Sequence, residues 1–400
     1  MLENNNYNDN GPLFYIIAGE VSGDALGAGV MRSLKEKTLG KVRFAGIGGS
    51  RMSSEGLISL FPMDELSVMG IVGVIPRIPK FLKMIKETVK DIFRQDPAAL
   101  ITIDSKGFTL RVAKKVHARQ KTNQKKIKLL HMVAPTVWAW RPGRAKKISR
   151  YLDHLMALFP FEPEYFTCHG LKTTFIGHPA NEAKKANGWR FRKSFSIPSD
   201  VMVLSLLPGS RSSEVNILLP VFEGAIAELR KRYVNLHIVI PVVPSVECEV
   251  KSIISKWNYD SVTLVGNRDN QGLFAASDFA VAASGTVTLE LALAEVPTVV
   301  VYKGNVVNAL IGYCLVNRES IVLPNRILER PIFPLLLQNE CNPQAIVTSL
   351  VSLINKTSVG DEMKLASAKI RKRLNTGSDT SSNLAAQAII SEIEVVDTGT

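Results

Sequence analysis

Residues 201–215, VMVLSLLPGSRSSEV, contain the pattern that decides the fold. The apolar run 201–207 has the length of a buried strand, and a Pro-Gly-Ser turn leads from it into a segment with helical periodicity. Comparable apolar runs that precede a loop occur at 13–18, 98–103, 128–133, 237–241 and 278–283. This alternation is typical of parallel sheets with helices on both faces. The sequence therefore predicts an α/β fold made of two consecutive doubly wound domains.

The length of the chain supports two domains, because 400 residues and 43.9 kDa exceed one ordinary hydrophobic core. The polar, Gly-containing stretch 182–200 has the composition of a linker. We therefore expect an N-terminal domain over 1–185 and a C-terminal domain over 195–360. The amphipathic segment 361–395 is expected to return and pack on the first domain.

The charge is unevenly distributed along the chain. The net charge is +13, and the window 106–150 alone holds fourteen Lys and Arg residues and no Asp or Glu. Such a window indicates a local basic surface and an anionic partner: nucleic acid, an acidic membrane surface or a phosphorylated substrate. A hydrophobic fraction of 46% excludes a disordered chain. Four scattered cysteines, no signal sequence and no apolar run long enough for a membrane span predict a cytoplasmic protein whose membrane contact is peripheral.

Two strand-to-helix loops in the second half have the residues of an anion site. In the loop 208–214, glycine permits close backbone approach and Arg211 can grip a phosphate, although a tight turn with a solvated arginine explains the same residues. In the loop 284–290, small residues leave room for a diphosphate at a helix N-terminus. Glu290 would then bind sugar hydroxyls, or it is an exposed acid favoured by the helix dipole. No P-loop or Gly-x-Gly-x-x-Gly motif is present.

The first half offers similar loops at 19–24 and 46–49, each of which is also explained as ordinary turn chemistry. Asp104 directly follows the apolar run 98–103, so its carboxylate is expected at the carboxyl end of a strand. It is a candidate general base, with a helix N-cap as the alternative. His131 is a weaker candidate, and a satisfied core histidine is the better interpretation.

A possible lipid-facing region lies in two segments. The stretch 133–147 combines Trp138 and Trp140 with a dense basic tail, which fits nucleic acid, interfacial lipid or plain packing. The stretch 80–94 has helical amphipathicity, for which packing on a core is the better interpretation. Because the preceding stretch 68–76 is apolar and Gly-rich, an apolar surface rimmed by cations that contacts a membrane is kept as an alternative.

At this point several motifs together resemble the lipid-A-disaccharide synthases, the glycosyltransferases of lipopolysaccharide assembly. The matching segments are AGEVSGDALGAG (18–29), GIGGSRM (46–52), ELSVMGIVGV (65–74), VAPTVWAWRPGRAKKI (133–148), FIGHP (175–179), LLPGSRSSEV (206–215), SGTVTLELAL (284–293) and LPN (323–325). The resemblance implies a GT-B fold, in which two Rossmann-like domains face a central cleft. It implies an inverting, metal-free and cofactor-free transfer of 2,3-diacylglucosamine from its UDP derivative to the 6-hydroxyl of 2,3-diacylglucosamine 1-phosphate. The products would be the β-1,6-linked disaccharide 1-phosphate and UDP.

The resemblance also implies roles for individual residues. Asp104 would be the general base, and Arg211 would stabilise the departing diphosphate. The implied nucleotide-binding residues are Gly209, Ser210, Arg211, Ser284, Gly285, Thr286, Glu290, Asn325 and Gln338. Those on the acceptor side are Glu20, Ser22 and Asp24. Those expected at the membrane are Val68, Met69, Ile71, Val72, Trp138, Trp140, Arg141 and Arg144.

The sequence departs from the family pattern at two places. Family members follow the first aspartate with a small residue, proline and a second aspartate, where this chain has Ser105-Lys106-Gly107-Phe108, and Leu335 replaces a common glutamate. The expected partners are the two diacylated sugars and the cytoplasmic face of the inner membrane, without nucleic acid and with a possible homodimer. The alternative within the same fold is a UDP-N-acetylglucosamine 2-epimerase or another UDP-sugar transferase. A nucleic-acid-binding protein would leave the phosphate loops unexplained.

Overall fold

The structure is a computed structural model that describes residues 11–67, 74–105, 107–121, 126–138, 142–183, 185–259, 261–266, 270–304 and 321–397. The chain forms two compact units. The first unit comprises Met1–Pro179 together with Thr376–Thr400, and the second comprises Ala180–Asn375. The segment 361–395 is therefore divided between the units, with its residues up to Asn375 in the second unit and those from Thr376 onward in the first.

The first unit contains a six-stranded parallel sheet in the order β2-β1-β3-β4-β5-β6. Its elements are β1 (Leu13–Ala18), α1 (Val21–Lys37), β2 (Arg43–Ile47), α2 (Ser50–Ser54), α3 (Asp64–Ser67), α4 (Val74–Gln95), β3 (Ala99–Ile103), α5 (Thr109–Gln120), β4 (Lys128–Met132), α6 (Arg144–Ile148), β5 (His154–Ala157), α7 (Glu164–Thr167), β6 (Lys172–Phe175) and, from the C-terminus, α16 (Ser381–Asp397). The strand order reverses between β1 and β3. In doubly wound sheets a ligand binds at the carboxyl ends of the strands at such a reversal.

The core of the first unit lies on both faces of this sheet. All six residues of β1 are buried, as expected of a central parallel strand, and the predicted bounds of this strand are confirmed. Helix α4 buries Met84, Ile85 and Ile92 against the core, which confirms the packing interpretation of its amphipathic pattern. Helices α1 and α16 contact each other on the sheet.

The second unit contains a six-stranded parallel sheet in the order β12-β11-β10-β7-β8-β9. Its elements are α8 (Gly188–Ser194), β7 (Met202–Leu207), α9 (Ser212–Arg230), β8 (Leu236–Val242), α10 (Glu247–Ile254), β9 (Val262–Gly266), α11 (Asn270–Ala276), β10 (Phe279–Ala283), α12 (Thr286–Leu293), β11 (Thr298–Tyr302), α13 (Leu323–Leu328), β12 (Leu335–Leu337), α14 (Pro343–Asn355) and α15 (Thr357–Arg373). This is the strand order of dinucleotide-binding domains, with the reversal between β7 and β10. The deciding stretch 201–215 supplies β7 and the start of α9, as the sequence predicts.

A buried carboxylate fixes the C-terminal helix α16 to the first sheet. The Glu392 carboxylate is 2.7 Å from Lys172 Nζ, 3.5 Å from Lys128 Nζ and 3.1 Å from His154 Nδ1. Burial alone would raise the pKa of Glu392, but the Lys172 hydrogen bond and the neighbouring positive charges hold it below the usual value. Residues from β4, β5 and β6 thus meet one side chain of α16.

In the described part of the chain, no helix combines the length and the apolar composition that crossing a bilayer requires.

Candidate active site

The loops that follow β1 and β3 come together at the reversal point of the first sheet. A side chain on Gly19 would place its Cβ 2.3 Å from Ser105 Oγ, so only glycine lets the first loop approach the second this closely. Glu20 is exposed on the first loop, Ser22 is exposed in the first turn of the helix α1 that follows this loop, and Asp104 is half-buried at the start of the second loop. The predicted base and two predicted acceptor-side residues therefore follow two neighbouring strands, β3 and β1, at this edge of the sheet.

Asp104 has an unusual backbone conformation. Its φ is +43° and that of Ser105 is +44°, so two consecutive non-glycine residues occupy the left-handed region. The Asp104 N–H donates to the Met132 carbonyl at 3.0 Å, and its carbonyl accepts a hydrogen bond from the Thr109 hydroxyl. Because α5 begins at Thr109 with Phe108 as its N-cap, Asp104 does not cap the helix. The N-cap alternative for this carboxylate is wrong.

Asp24 serves the loop after β2. It is 3% exposed, and its carboxylate accepts hydrogen bonds from the backbone amides of Gly49 (2.8 Å), Arg51 (3.0 Å) and Met52 (3.0 Å). An Asp at this position satisfies the first amides of helix α2, which its own N-cap Gly49 cannot do with a side chain. Asp24 thus fixes the backbone of the loop after β2 and the start of α2, at the carboxyl edge of the sheet.

Trp138 is held at the carboxyl edge of the same sheet by a buried glutamate that the sequence analysis did not single out. The Trp138 Nε1–H donates to Glu162 Oε1 at 3.3 Å, while Glu162 Oε2 accepts from the amides of Leu158 and Phe159, each at 3.1 Å. Glu162 is only 2% exposed. Buried carboxylates need such partners, so the position of Trp138 is coupled to the loop after β5.

An aromatic row extends from Trp138 along this edge. Trp138 meets Phe161 edge-on with ring centroids 5.3 Å apart, Phe161 stacks on Phe159 at 5.6 Å, and Phe159 stacks on His178 at 5.4 Å. Burial lowers the pKa of His178 to about 4, so its ring is neutral at pH 7. Two sequence motifs each contain one member of this row, Trp138 in 133–148 and His178 in 175–179, and no motif marks the two phenylalanines between them.

Part of the predicted lipid-facing region lies outside the described residues. Those residues are Val68, Met69, Ile71, Val72, Trp140 and Arg141. On helix α4, which follows 68–72, Ile78 and Leu82 are 44% and 49% exposed, and they share one helix face because they are four residues apart. Arg144 is half-buried in α6, where its charge acts against the burial that raises the pKa of Tyr151 to about 12.

The basic window has structural partners as well as an exposed face. Arg111 and Arg119 of α5 lie over the rings of Phe81 and Phe93 on α4, at 5.5 and 4.5 Å from the ring centroids. Such cation–π contacts help to fix α5 against α4. Both arginines remain exposed, so one face of α5 is still basic.

In the second unit, the two predicted phosphate loops follow neighbouring strands at the reversal point. The loop after β7 places Gly209 in the left-handed region, with φ +105°, and Arg211 is the N-cap of α9 with an exposed guanidinium. Arg211 Nη1 is 2.7 Å from Glu214 Oε1, and the Ser210 amide is 3.1 Å from Glu214 Oε2. Amide and guanidinium groups thus converge on one pair of anionic oxygens.

The loop after β10 presents the N-terminus of helix α12. Gly285 is its N-cap and Thr286 its first residue, and both are exposed. The Ser284 hydroxyl donates to the Ile321 carbonyl at 2.7 Å, so this side chain braces the loop. At an exposed helix N-terminus, the backbone N–H groups and the positive end of the helix dipole favour binding of an anion.

Glu290 lines a cavity of about 200 Å³ together with Lys185, Gln271 and Arg371. It is the fifth residue of α12 and is half-buried, so the interpretation as an exposed first-turn acid is wrong. Burial raises its pKa above the ordinary value for glutamate. A desolvated carboxylate beside a small cavity is suited to accepting hydrogen bonds from hydroxyl groups.

Asn325 and Gln338 make backbone contacts in the described structure. Asn325 is 6% exposed, and its side-chain amide donates to the Phe333 carbonyl and accepts from the Phe333 amide, both at 2.8 Å. Gln338 Oε1 accepts from the Gly304 amide at 3.2 Å. Asn325 thereby fixes the segment that precedes β12, and Gln338 braces the end of β11.

The strand orders and loop positions define a class of protein with two Rossmann-like units. In each unit, the carboxyl edge of the sheet is a candidate site for an anionic ligand. Solved structures share this fold: S. aureus MnaA with UDP has a TM-score of 0.62 and 13% identity over 92% of this chain and 99% of that chain. Methanocaldococcus jannaschii UDP-GlcNAc 2-epimerase in complex with UDP-GlcNAc and UDP has a TM-score of 0.60 and 14% identity over 95% and 99%. The fold class is therefore the two-domain GT-B class.

The family is narrower than the fold. The family model described as lipid-A-disaccharide synthetase matches residues 14–389. The lipid-A-disaccharide synthase of Rhodospirillum centenum is 42% identical over 383 residues, which cover 95% of this chain and 94% of that protein. The chain belongs to the lipid-A-disaccharide synthase family, which confirms the resemblance found in the motifs.

Proposed function

We propose that this protein transfers 2,3-diacylglucosamine from its UDP derivative to the 6-hydroxyl of 2,3-diacylglucosamine 1-phosphate. Membership of the family supports the substrates and the reaction class. The observation in the structure that carries the proposal is that the loops with Asp104, Arg211 and Gly285 follow strands that flank the reversal points of the two sheets. The first unit is assigned to the acceptor and the second to the UDP-sugar.

Asp104 acts on the acceptor in this proposal. Its carboxylate takes the proton from the 6-hydroxyl as that oxygen attacks the anomeric carbon of the donor from the face opposite the diphosphate, so the configuration inverts. Its position on a loop at the carboxyl end of β3 supports this role, because loops at that edge are open to a ligand. Glu20 and Ser22, exposed at the N-terminus of α1 after the neighbouring strand β1, bind the acceptor sugar.

The second unit holds the leaving group. As the bond between the anomeric carbon and the diphosphate oxygen breaks, negative charge grows on the β-phosphate. Arg211 and the amides of the loop 209–210 stabilise that charge, with the N-terminus of α12 at 284–286 as a second source of positive potential. Glu290 accepts hydrogen bonds from the ribose. Asn325 and Gln338 support this site by fixing the backbone that flanks β11 and β12.

We further propose peripheral attachment to the cytoplasmic face of the inner membrane. Ile78 and Leu82 support it, because an exposed apolar pair on α4 beside the exposed Lys83 and Lys86 suits an anionic lipid surface. Trp138 would lie at the same interface. A vesicle flotation assay with anionic against zwitterionic lipids tests this attachment, and light scattering of the purified protein tests the homodimer that the sequence analysis names as possible.

Turnover of the two diacylated sugars tests the main proposal. Purified protein in detergent should release UDP and form the disaccharide 1-phosphate only when both substrates are present. Absence of the disaccharide under these conditions would refute the proposal. Conversion of UDP-N-acetylglucosamine by itself to its 2-epimer would instead support the epimerase alternative.

A further inference from the structure

Glu214 occupies the place of an anion in the loop after β7. It is the third residue of α9, and its side chain turns back toward the loop that precedes the helix. Its Oε1 lies 2.7 Å from Arg211 Nη1, and its Oε2 accepts the Ser210 N–H at 3.1 Å. One carboxylate therefore uses two of the donors that this loop presents to the diphosphate in the proposed function, on which this inference rests.

The space that holds the carboxylate exists because residue 209 is glycine. A Cβ on Gly209 would lie 2.2 Å from Glu214 Oε2 and 3.0 Å from Glu214 Cβ. The φ of +105° at Gly209 also excludes an ordinary side chain. The glycine thus leaves a gap beside the Ser210 amide, and the gap is filled by two anionic oxygens of the same chain.

Ordinary helix capping does not account for this geometry. In a capping box, a glutamate at the third helical position reaches back to the amide of the N-cap residue. Here the N-cap is Arg211, and the carboxylate instead bonds the amide one residue earlier and the Arg211 side chain. The two contacts together are those of a bound anion.

We propose that Glu214 is an internal competitor of the nucleotide diphosphate. In the unliganded protein its carboxylate holds Arg211 and the Ser210 amide in place, and UDP-sugar binding displaces it. After transfer it returns to the same donors and favours release of UDP. The side chains of Arg211 and Glu214 are 59% and 28% exposed, so the ion pair is screened by solvent and inexpensive to break.

UDP affinity of Glu214→Gln tests the competition by isothermal titration calorimetry. Glutamine keeps an oxygen that can accept the Ser210 N–H but removes the negative charge. We expect UDP to bind about 2- to 5-fold more tightly than to the wild type, where fivefold is about 1 kcal/mol, the upper end for an exposed ion pair. Uridine, which has no phosphate, should bind the variant and the wild type equally.

Glu228→Gln is the matched control. Glu228 makes an ion pair of the same spacing with Lys231 at the other end of α9, with Lys231 Nζ 2.6 Å from Glu228 Oε1, and it lies far along the helix from the phosphate loop. This variant should bind UDP as the wild type does. In an Arg211→Met background, the gain from Glu214→Gln should shrink, because the shared cation is gone.

Three outcomes would decide against the inference. Unchanged or weaker UDP binding to Glu214→Gln would show that the carboxylate does not compete, and weaker binding would assign it to positioning Arg211. An equal gain for uridine would show a general effect on the loop. If the wild type itself fails to bind UDP, the proposed function fails first, and the inference falls with it.

Discussion

Asp104→Asn separates the chemistry of this residue from its backbone conformation. Asparagine has nearly the same shape as aspartate and tolerates the left-handed region, so the φ of +43° is kept. It cannot take a proton from the acceptor hydroxyl. We expect kcat to fall by about 10²- to 10⁴-fold, the usual contribution of a general base, while UDP affinity and thermal stability stay at the wild-type level.

The more usual alanine substitution would mix two effects at this position. A fall of that size in kcat corresponds to about 3 to 5 kcal/mol in the transition state. Alanine at a positive φ adds strain of about 1–2 kcal/mol in the folded state, which could shift the loop and lower activity for a structural reason. Asp104→Ala should therefore lower the thermal midpoint as well as kcat, and Asp104→Asn should lower kcat only.

Asp96→Asn is the matched control, because Asp96 also has a positive φ, +47°, and lies at the opposite end of the same strand. This variant should turn over both substrates at the wild-type rate. The measurement is disaccharide formation at saturating concentrations, with unfolding followed by calorimetry. Wild-type kcat in Asp104→Asn would remove Asp104 as the base, and an equal loss in Asp96→Asn would point to the conformation of the strand rather than to proton transfer.

Three further predictions concern buried polar groups, each checked against the wild type. Glu392→Gln should lower the free energy of unfolding by about 1–2 kcal/mol at pH 7. As a control, Glu362→Gln should change it by less than about 0.5 kcal/mol, because Glu362 Oε1 lies 3.7 Å from Arg330 Nη2 in an exposed ion pair. Because the pKa of Glu392 is lowered in the folded state, the difference should disappear as the pH falls below the ordinary range for glutamate, which calorimetry across pH would show. UDP affinity should fall as the pH decreases through the raised pKa of Glu290, because the protonated carboxyl is a poorer acceptor, and Glu290→Gln should remove this dependence. Because the pKa is raised in the folded state, the stability of the wild type relative to this variant should rise as the pH falls. Asn325→Ala should lower stability by about 2–3 kcal/mol, because two buried backbone groups lose their partner; loss of UDP binding without loss of stability would contradict this role.

The sequence predicts the strands and the ligand edges well, for a physical reason. A strand buried on both faces must be apolar along its whole length, so runs such as 13–18 and 202–207 carry the fold in their composition. Glycine and small polar residues directly after such a run mark the edge where the backbone approaches a ligand. Asp104 and the loop 208–214 could therefore be placed without coordinates.

The partners of polar side chains could not be predicted in the same way. Asp24 bonds amides 25 to 28 residues away, and Glu392 meets lysines 220 and 264 residues away, so no local pattern records these contacts. Asn325 carries the motif Leu-Pro-Asn, but its two hydrogen bonds go to the backbone of Phe333. A family motif identifies a residue that matters, while only its neighbours show whether it binds a ligand or fixes a loop.

Backbone strain supports the assignment of the carboxyl edge of the first sheet as a candidate ligand site. Asp104 and Ser105 after β3 and Val133 after β4 all have positive φ, which for the β-branched Val133, at +75°, is a true outlier. Such conformations cost about 1–3 kcal/mol each and persist only where surrounding structure fixes them; here the strained amides of Asp104 and Val133 donate to the carbonyls of Met132 and Met156 on the neighbouring strands. The positive φ of Asp96 at the opposite end of β3 shows that strain alone does not mark a site. It is strain at the carboxyl ends, with Asp104 beside the reversal of strand order, that distinguishes this edge, because there the sheet can hold a carboxylate in a fixed direction before the substrate binds.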